Sequence, residues 1–195
     1  MEHRTLAELN SYLDHVRASP TDSGRIEVIV RRPGVDQREV LIEAELSLTD
    51  GVVGDTWSAR GNSRTRDGGP NPEAQITVMN ARAAGVVAID PERRPLAGDQ
   101  LYVDLDLSLN NLPPGSRLAV GSAVIEITET PHTGCAKFVS RFGVDAQRWV
   151  NSPEGRGLRL RGANARVVQP GTVRVGDAAR KLPHGYNPGS HPKSA

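Results

Sequence analysis

Short runs in which apolar and polar residues alternate, each bounded by glycine or proline, limit most strongly how this chain can fold. The clearest run is residues 101–108, where Leu101, Val103, Leu105 and Leu107 alternate with more polar neighbours. Because side chains along a strand point alternately to two faces, this run predicts a strand with one buried and one wet face. The 20 Gly and 14 Pro, against only 4% aromatic residues, favour many short strands joined by tight turns. We therefore expect a β-rich (all-β) protein, in which mostly antiparallel strands close into a barrel with a few peripheral helices.

Local patterns predict the individual elements. Residues 5–8 carry a Thr-x-x-Glu capping box, and apolar residues at helical spacing follow, so a helix is expected to about Ala18. Further helices are expected at 81–88 and at 144–150, the second carrying Trp149 inward. Strands are expected at 24–31, 40–48, 75–79, 101–108, 117–120, 123–128, 158–160, 165–168 and 172–175, with a tight hairpin turn at 121–122. The expected organisation is an N-terminal helical extension over 1–22, one barrel domain over 23–180 and a flexible tail over 181–195.

Charge and hydropathy exclude several classes of protein. The 24 Lys and Arg balance 23 Asp and Glu, and the formal net charge of +1 gives no general attraction to nucleic acid or to an anionic membrane. No stretch approaches the roughly 20 apolar residues of a membrane span, and the first residues lack a signal-peptide core. No histidine pair has zinc-ligand spacing, and no Gly-x-Ser-x-Gly elbow of a hydrolase is present. We expect a cytoplasmic protein that binds neither nucleic acid nor membrane.

Cys135 is the single cysteine, which excludes an intramolecular disulfide and a Cys-rich zinc site. It follows the strand predicted to end at Thr128, where proline and glycine take the backbone out of the sheet. Cysteine reacts and binds metals as the thiolate, which nearby cations favour, and His132, Lys137 and Arg141 are within reach in the sequence. In extended backbone, Lys137 shares a face with Cys135. A buried, inert cysteine and a solvated His132 are the alternatives that remain open at this point.

Residues 49–72 are dominated by Asp, Gly, Ser, Asn and Arg. Such a stretch cannot bury enough apolar area to be core, so we expect a mobile surface loop that borders the functional pocket. Arg60, Arg64 and Arg66 alternate with polar residues, and in an extended segment all three could point toward an anionic ligand. Solvated loop charge is the alternative.

Four stretches, taken in order, resemble the MOSC domain, the family related to the C-terminal domain of molybdenum-cofactor sulfurases. Residues 51–55 resemble a Gly-x-x-Gly-Asp segment, and 98–101 (Gly-Asp-Gln-Leu) resemble the family's Gly-Glu-Asn-Leu motif. The hairpin at 118–128 leads to Cys135 as the family's hairpin leads to its characteristic cysteine. Residues 162–177 resemble the closing Arg-Val…Gly-x-Val-x-x-Gly-Asp pattern. The resemblance spans 25–178, but Asp99 and Gln100 replace Glu and Asn, and Gly134 stands where many relatives have proline.

The resemblance implies a barrel that binds a molybdenum cofactor of the molybdopterin type. Cys135 would be the metal ligand, with His132 and Lys137 as further catalytic residues. The residues implied in cofactor binding are Arg60, Arg64, Asp99, Gln100, Arg141 and Arg161. Like relatives that reduce N-hydroxylated bases and amidoximes, the protein would reduce a small-molecule substrate with electrons from a donor protein. Pyridoxal phosphate, which the fused sulfurases use in another domain, has no expected lysine site here.

Two other functions stay open at the sequence level. Cys135 could carry sulfur as a persulfide from a sulfur donor protein to an acceptor protein, for metal–sulfur cluster or cofactor assembly. That role needs an exposed thiolate but no permanent metal. Alternatively, the chain could be a non-catalytic module that binds the cofactor or a partner protein, which would tolerate loss of the thiol.

Overall fold

The computed structural model describes residues 3–61, 65–66 and 68–186, which contain a closed seven-stranded β-barrel and six short α-helices. The strands are β1 (Ser23–Arg31), β2 (Glu39–Leu41), β3 (Glu43–Ser47), β4 (Gly51–Val52), β5 (Ile76–Asn80), β6 (Leu101–Asp104), β7 (Arg117–Val120), β8 (Ala123–Ile127), β9 (Ala163–Gln169), β10 (Gly171–Arg174) and β11 (Ala178–Lys181). The helices are α1 (Leu6–Ser11), α2 (Leu13–Arg17), α3 (Ala81–Ala88), α4 (Ala136–Phe142), α5 (Val144–Asn151) and α6 (Pro153–Gly157). Two 3₁₀ segments span Pro72–Ala74 and Pro91–Ala97.

The barrel closes in the order β1-β11-β7-β8-β9-β5-β6 and back to β1, while β2 adds to the outer edge of β1. A separate small sheet has the order β10-β3-β4. The barrel is mixed, because β5 and β6 run parallel and the other pairs of the ring run antiparallel. Parallel neighbours need a crossover connection, and α3 with the second 3₁₀ segment supplies it. The expectation of a mostly antiparallel barrel is therefore confirmed in outline, with this one parallel pair as the exception.

Apolar side chains form two clusters, one inside the barrel and one between its outer surface and the helices. The outer cluster combines strand residues such as Val30, Met79 and Tyr102 with helix residues such as Leu9 and Trp149. Helices thus cover a strand face that the alternating pattern of 101–108 predicts to be wet, and Tyr102 is fully buried. That prediction is wrong for this face, because alternation describes a strand exposed on one side and β6 is covered on both.

The predicted strand at 158–160 is also wrong. Ser152 caps α6 by accepting a hydrogen bond from the Gly155 amide, and Pro153 occupies the first turn. These local helix-start signals outweigh the short apolar pattern that follows, and Leu160 instead donates its amide to the Gly155 carbonyl at 2.8 Å. The predicted hairpin at 121–122 is confirmed, with Gly121 at a φ of 60°.

Part of the polar stretch at 49–72 is not a surface loop. Val52 is fully buried in β4, and Asp55 and Trp57 are buried beyond it. Asp55 tolerates burial because Arg32 donates to it at 2.8 Å from Nε and 2.9 Å from Nη2. Residues 62–64 and 67 lie outside the described residues, so the expected mobility there stays a prediction.

Over the described residues, no helix combines the length and apolarity needed to cross a lipid bilayer.

Candidate functional site

The loop from Thr128 to Cys135 joins β8 to α4, and two asparagines hold it in place. Asn164 on β9 donates its side-chain amide to the Thr130 carbonyl at 3.0 Å. Asn151, the last residue of α5, clamps Gly134 by accepting from its amide at 3.0 Å and donating to its carbonyl at 3.2 Å. The loop that carries Cys135 is therefore tied to both the barrel and the helical layer.

Gly134 fits this position because it has an amide hydrogen and no side chain. A Cβ at this position would lie 3.0 Å from the Val150 Cγ2 atom and 3.2 Å from Gln147 Cγ. Proline has no amide hydrogen, so it could not make the bond to Asn151. The hydrogen bonds to Asn151 therefore depend on glycine at position 134.

Cys135 is exposed and occupies the N-cap of α4, where its side chain makes no capping hydrogen bond. The alternative of a buried cysteine is therefore wrong, and the reactivity of the thiol stays a prediction. The backbone turns helical at Ala136, so the shared face expected from extended backbone does not apply to Lys137. Lys137 instead donates from Nζ to Asp36 Oδ1 at 2.9 Å.

Asp99 and Arg161 form a buried ion pair beneath this loop. Arg161 donates from Nη1 to Asp99 Oδ2 at 2.5 Å and from Nη2 to the Ala97 carbonyl at 2.8 Å. Its guanidinium carbon lies 5.1 Å from the centre of the Phe138 ring on α4, a distance typical of a cation–π contact. The pair thus links this end of the barrel to α4.

His132 points its Nδ1 atom at Asp99, with 3.3 Å between Nδ1 and Oδ1. Burial, followed by the repulsion of Arg161, lowers the pKa of His132 to about 3, although Asp99 acts in the opposite direction. The imidazole is therefore neutral near pH 7 and is not one of the cations beside Cys135. A proton on Nδ1 faces Asp99, which leaves Nε2 as a hydrogen-bond acceptor.

Gln100 is placed differently from its neighbour Asp99. It is fully buried, and its Oε1 accepts from the Thr77 amide at 2.7 Å and from the Thr77 hydroxyl at 2.5 Å. Its Nε2 donates to the Gln75 carbonyl at 3.3 Å. The side chain thus ties β5 to the start of β6, and the structure does not bring it into contact with the Cys135 loop.

Basic side chains crowd the same end of the barrel around Gly98. A Cβ on Gly98 would lie 3.5 Å from Arg38 Nη2 and 3.9 Å from Arg141 Nη1. Burial, followed by the charges of Arg141 and Arg32, lowers the pKa of Arg38. Desolvation and Arg32 lower the pKa of Arg60. Neighbouring guanidinium groups that destabilise one another's charge create a site that favours an anion.

Asp36 already places a carboxylate among these cations. Arg141 donates from Nη2 to Asp36 Oδ1 at 3.0 Å, the oxygen that also accepts from Lys137. The hydrogen bond and charge of Lys137, with Arg141, lower the pKa of Asp36. Arg141 is held from behind, because its Nη1 donates to the Leu96 carbonyl at 2.8 Å. Arg64, expected to serve beside Arg60, lies outside the described residues.

Unpartnered buried polar atoms concentrate at this site. Seven such side-chain atoms occur in the described part of the chain. Two of them, Asp99 Oδ1 and His132 Nδ1, face each other at 3.3 Å. Three others at this site, Arg38 Nε, Tyr102 OH and Arg161 Nε, face no such atom. Burial, followed by the charge of Asp99, raises the pKa of Tyr102, so its hydroxyl stays protonated and able to donate. Unsatisfied buried groups are costly and call for an explanation, and a polar ligand would supply one.

A cavity of about 430 Å³ opens beside this cluster, and both His132 and Arg161 line it. Cys135 is outside its lining. A larger cavity of about 670 Å³, between β7 and residues 182–186, contains none of the predicted site residues.

The described residues contain no group of three or more His, Cys, Asp or Glu side chains able to hold a metal ion. A metal at this site would take Cys135 as its ligand from the chain and its remaining ligands from a cofactor.

Of the predicted site residues, His132, Asp99 and Arg161 lie in one cluster, and Arg141 lies near Gly98. Their roles, and that of Cys135, stay predictions. The structure adds four residues that the sequence does not single out: Arg38, Asp36, Tyr102 and Asn151. Tyr102 carries the contrary signal of an exposed strand position, and Asn151 lies at the end of a predicted helix with nothing to mark a long-range clamp. Arg38 and Asp36 sit in a polar connection whose course depends on the barrel.

Comparisons with known proteins agree with this architecture. A model of the MOSC domain matches residues 71–180. The YuaD protein from Bacillus subtilis has a similar solved structure, with a TM-score of 0.56, 18% sequence identity, and coverage of 80% of this chain and 94% of that one. YiiM from Escherichia coli gives a TM-score of 0.53 at 20% identity, covering 84% of this chain and 72% of that one. A search of curated proteins finds no match.

Proposed function

The chain belongs to the MOSC domain family, and on that premise we propose that it binds a molybdenum cofactor through Cys135 and reduces N-hydroxylated small molecules. The observation that carries the proposal is an exposed thiol on the loop that packs on Asp99, together with the unpartnered Arg38 Nε and Tyr102 OH atoms and a group of cations at this end of the barrel. Soft sulfur suits the metal, and the polar atoms suit the edge of a pterin. An electron-donor protein is part of this proposal.

The cations divide into those free to bind an anion and those already neutralised. Arg32 is neutralised by Asp55 and Arg161 by Asp99. Arg38 makes no ion pair with an acidic side chain among the described residues, and Arg141 and Lys137 share the exposed Asp36. A phosphate on Arg38, Arg141 and Lys137 would replace Asp36 with a group of higher charge.

The chemistry of the site follows from its neutral histidine. When bound, the cofactor supplies a redox-active metal that can remove oxygen from an N-hydroxylated substrate. His132 accepts a hydrogen bond at Nε2 from a substrate N–H or O–H, while Asp99 holds the ring in the required tautomer. Asn151 fixes the position of the loop that carries both His132 and Cys135 by accepting a hydrogen bond from the Gly134 amide.

Metal analysis tests the proposal directly. The chain is produced in cells that synthesise molybdenum cofactor, and molybdenum is measured per chain for the native protein, Cys135→Ser and the control Ser140→Ala on the exposed side of the same helix. We expect native protein and Ser140→Ala to retain molybdenum through gel filtration and Cys135→Ser to lose most of it, because oxygen is the harder ligand. Equal molybdenum in all three would contradict the assignment of Cys135 as ligand and favour the non-catalytic module.

The exposure of Cys135 outside the cavity lining also supports a second candidate, sulfur transfer between proteins. A persulfide on an open surface can be reached by both a donor and an acceptor protein. Incubation with a cysteine desulfurase and cysteine, followed by mass spectrometry, should then add one sulfur atom to the Cys135 peptide. A chain that takes up sulfur but no molybdenum would favour this role over the reductase.

A further inference from the structure

We infer that the cavity beside His132 binds a small carboxylic acid with an apolar body, and that Arg156 and Arg159 hold its carboxylate. The inference goes beyond the proposed function and does not depend on it, because binding can be measured on the chain without cofactor.

The charge of the cavity lining is the first reason. The lining contains three arginines, Arg156, Arg159 and Arg161, and one acidic residue, the exposed Glu129. Asp99 neutralises Arg161 from behind. Arg156 and Arg159 have no acidic side chain within ion-pair distance in the described ranges, so the cavity carries uncompensated positive charge.

Two hydrogen bonds fix the position of the Arg159 guanidinium. Its Nη1 donates to the Leu112 carbonyl at 2.5 Å and to the Leu107 carbonyl at 3.3 Å. Its Nε and Nη2 atoms have no acceptor among the residues described. Burial lowers the pKa of this guanidinium, as expected for a cation that lacks a counterion.

The turn at Arg159 brings two arginines to this cavity. Its φ is 49°, in the left-handed region. This conformation belongs to an ordinary helix C-cap, because the Arg159 amide donates to the Arg156 carbonyl at 3.2 Å and the Leu160 amide donates to the Gly155 carbonyl at 2.8 Å. The turn between α6 and β9 places Arg159 and Arg161 in the lining of the same cavity.

Arg161 supplies a further unused donor. Its side chain is 7% exposed, and its Nε atom is buried without a partner. A ligand with an acceptor atom in this cavity could satisfy it.

The class of anion follows from the remaining lining. Leu109, Pro114 and Val150 give the cavity an apolar part, and its volume of about 430 Å³ lies within the range of small-molecule sites. A carboxylate matches the planar guanidinium fork, and a single charge costs less to desolvate than a phosphate dianion. A monocarboxylate with an apolar body therefore fits better than inorganic phosphate.

The test is a titration of the ¹⁵N-labelled chain followed by amide chemical shifts. The probes are benzoate, its neutral counterpart benzamide, and inorganic phosphate. The variants are Arg159→Gly, which suits the left-handed backbone, and Arg156→Gln, which changes an exposed side chain. Arg180→Gln, an exposed arginine on β11 outside this cavity, is the matched control for loss of one charge.

Benzoate should cause saturable shifts in residues 128–133 and 156–164, with affinity about tenfold higher than benzamide, as expected for a charge-assisted pair. Arg159→Gly and Arg156→Gln should each weaken benzoate binding by about threefold or more, while Arg180→Gln should not. Equal affinity for benzoate and benzamide, absence of saturable shifts, displacement of benzoate by equimolar phosphate, or indifference to Arg156→Gln would each overturn the inference. If Arg159→Gly fails to fold, Arg156→Gln and the comparison with benzamide still decide it.

Discussion

His132 shows how one buried contact changes what a residue can do. A histidine near a reactive thiol is an obvious candidate cation, yet burial and Arg161 keep this one neutral. Asp99 faces its Nδ1 atom and so directs the acceptor nitrogen away from the ion pair. The side chain therefore presents a hydrogen-bond acceptor rather than a charge, and Arg38, Lys137 and Arg141 supply the positive charge near Gly98 and Asp36.

The low pKa of His132 predicts a dependence of stability on pH. The folded-state pKa is about 3, below the unfolded value of about 6.5, so the unfolded chain binds an extra proton between these values. Stability must then fall as pH decreases from about 6.5 toward 3, by at most about 2 kcal/mol at pH 5. Urea unfolding at pH 7 and pH 5 should show a smaller loss for His132→Gln than for native protein. His15→Gln, at an exposed histidine, should behave like native protein, and identical losses in all three would refute the assignment.

At the scale of elements, α4 depends on its neighbours for its position. Seven residues are too few for a stable isolated helix, and Phe138 and Phe142 bury one face of it against the outer cluster. Its start is set by the clamp between Gly134 and Asn151. The location of the thiol is thus decided by α5, an element that contributes no chemistry of its own.

Removal of this clamp should increase the mobility of the loop before Cys135 while the rest of the chain stays folded. Asn151→Ala deletes two hydrogen bonds, which should lower the free energy of unfolding by about 1–3 kcal/mol. Hydrogen exchange should speed up at residues 133–136, and the Cys135 alkylation rate should change with it. Asn10→Ala, at an exposed asparagine on α1, is the control. Unchanged exchange at residues 133–136 in a folded Asn151→Ala protein would show that the clamp does not position Cys135.

At the scale of the whole molecule, β11 is the strand that closes the barrel. β11 pairs with β1 on one side and with β7 on the other, although its sequence is Ala-Ala-Arg-Lys and only Ala179 is fully buried. Without it, β1 and β7 would each expose an unpaired edge. The outer helices cannot replace β11, because the backbone N–H and C=O groups at the edges of β1 and β7 need hydrogen-bond partners from another strand.

A chain that ends at Asp177 should therefore fail to unfold cooperatively, whereas a chain that ends at Tyr186 should unfold like the full-length protein. Circular dichroism during heating, together with binding of a dye to exposed apolar surface, distinguishes the two. A sharp transition at the full-length temperature in the shorter chain would show that barrel closure is not required for stability.

The elements that the sequence predicts correctly are those marked by local signals. Asn80 caps the helix at 81–88, and Gly121 permits the hairpin turn. β11 escapes prediction because its four residues have almost no apolar pattern. The prediction of a solvent-exposed face for 101–108 is wrong, because the periodicity of one strand cannot show that helices elsewhere in the chain cover it.

Local periodicity and turn chemistry determined the β-rich class, most strands and the candidate cysteine, because these depend on residues near in sequence. Only the tertiary structure decided which strand closes the barrel, which charges are paired and which polar atoms stay without partners. Arg32 and Asp55 are 23 residues apart and Asp99 and Arg161 are 62 apart, so no local pattern could pair them. The charge state of His132 follows from that pairing, since burial and the field of Arg161 exist only once the barrel has brought these residues together.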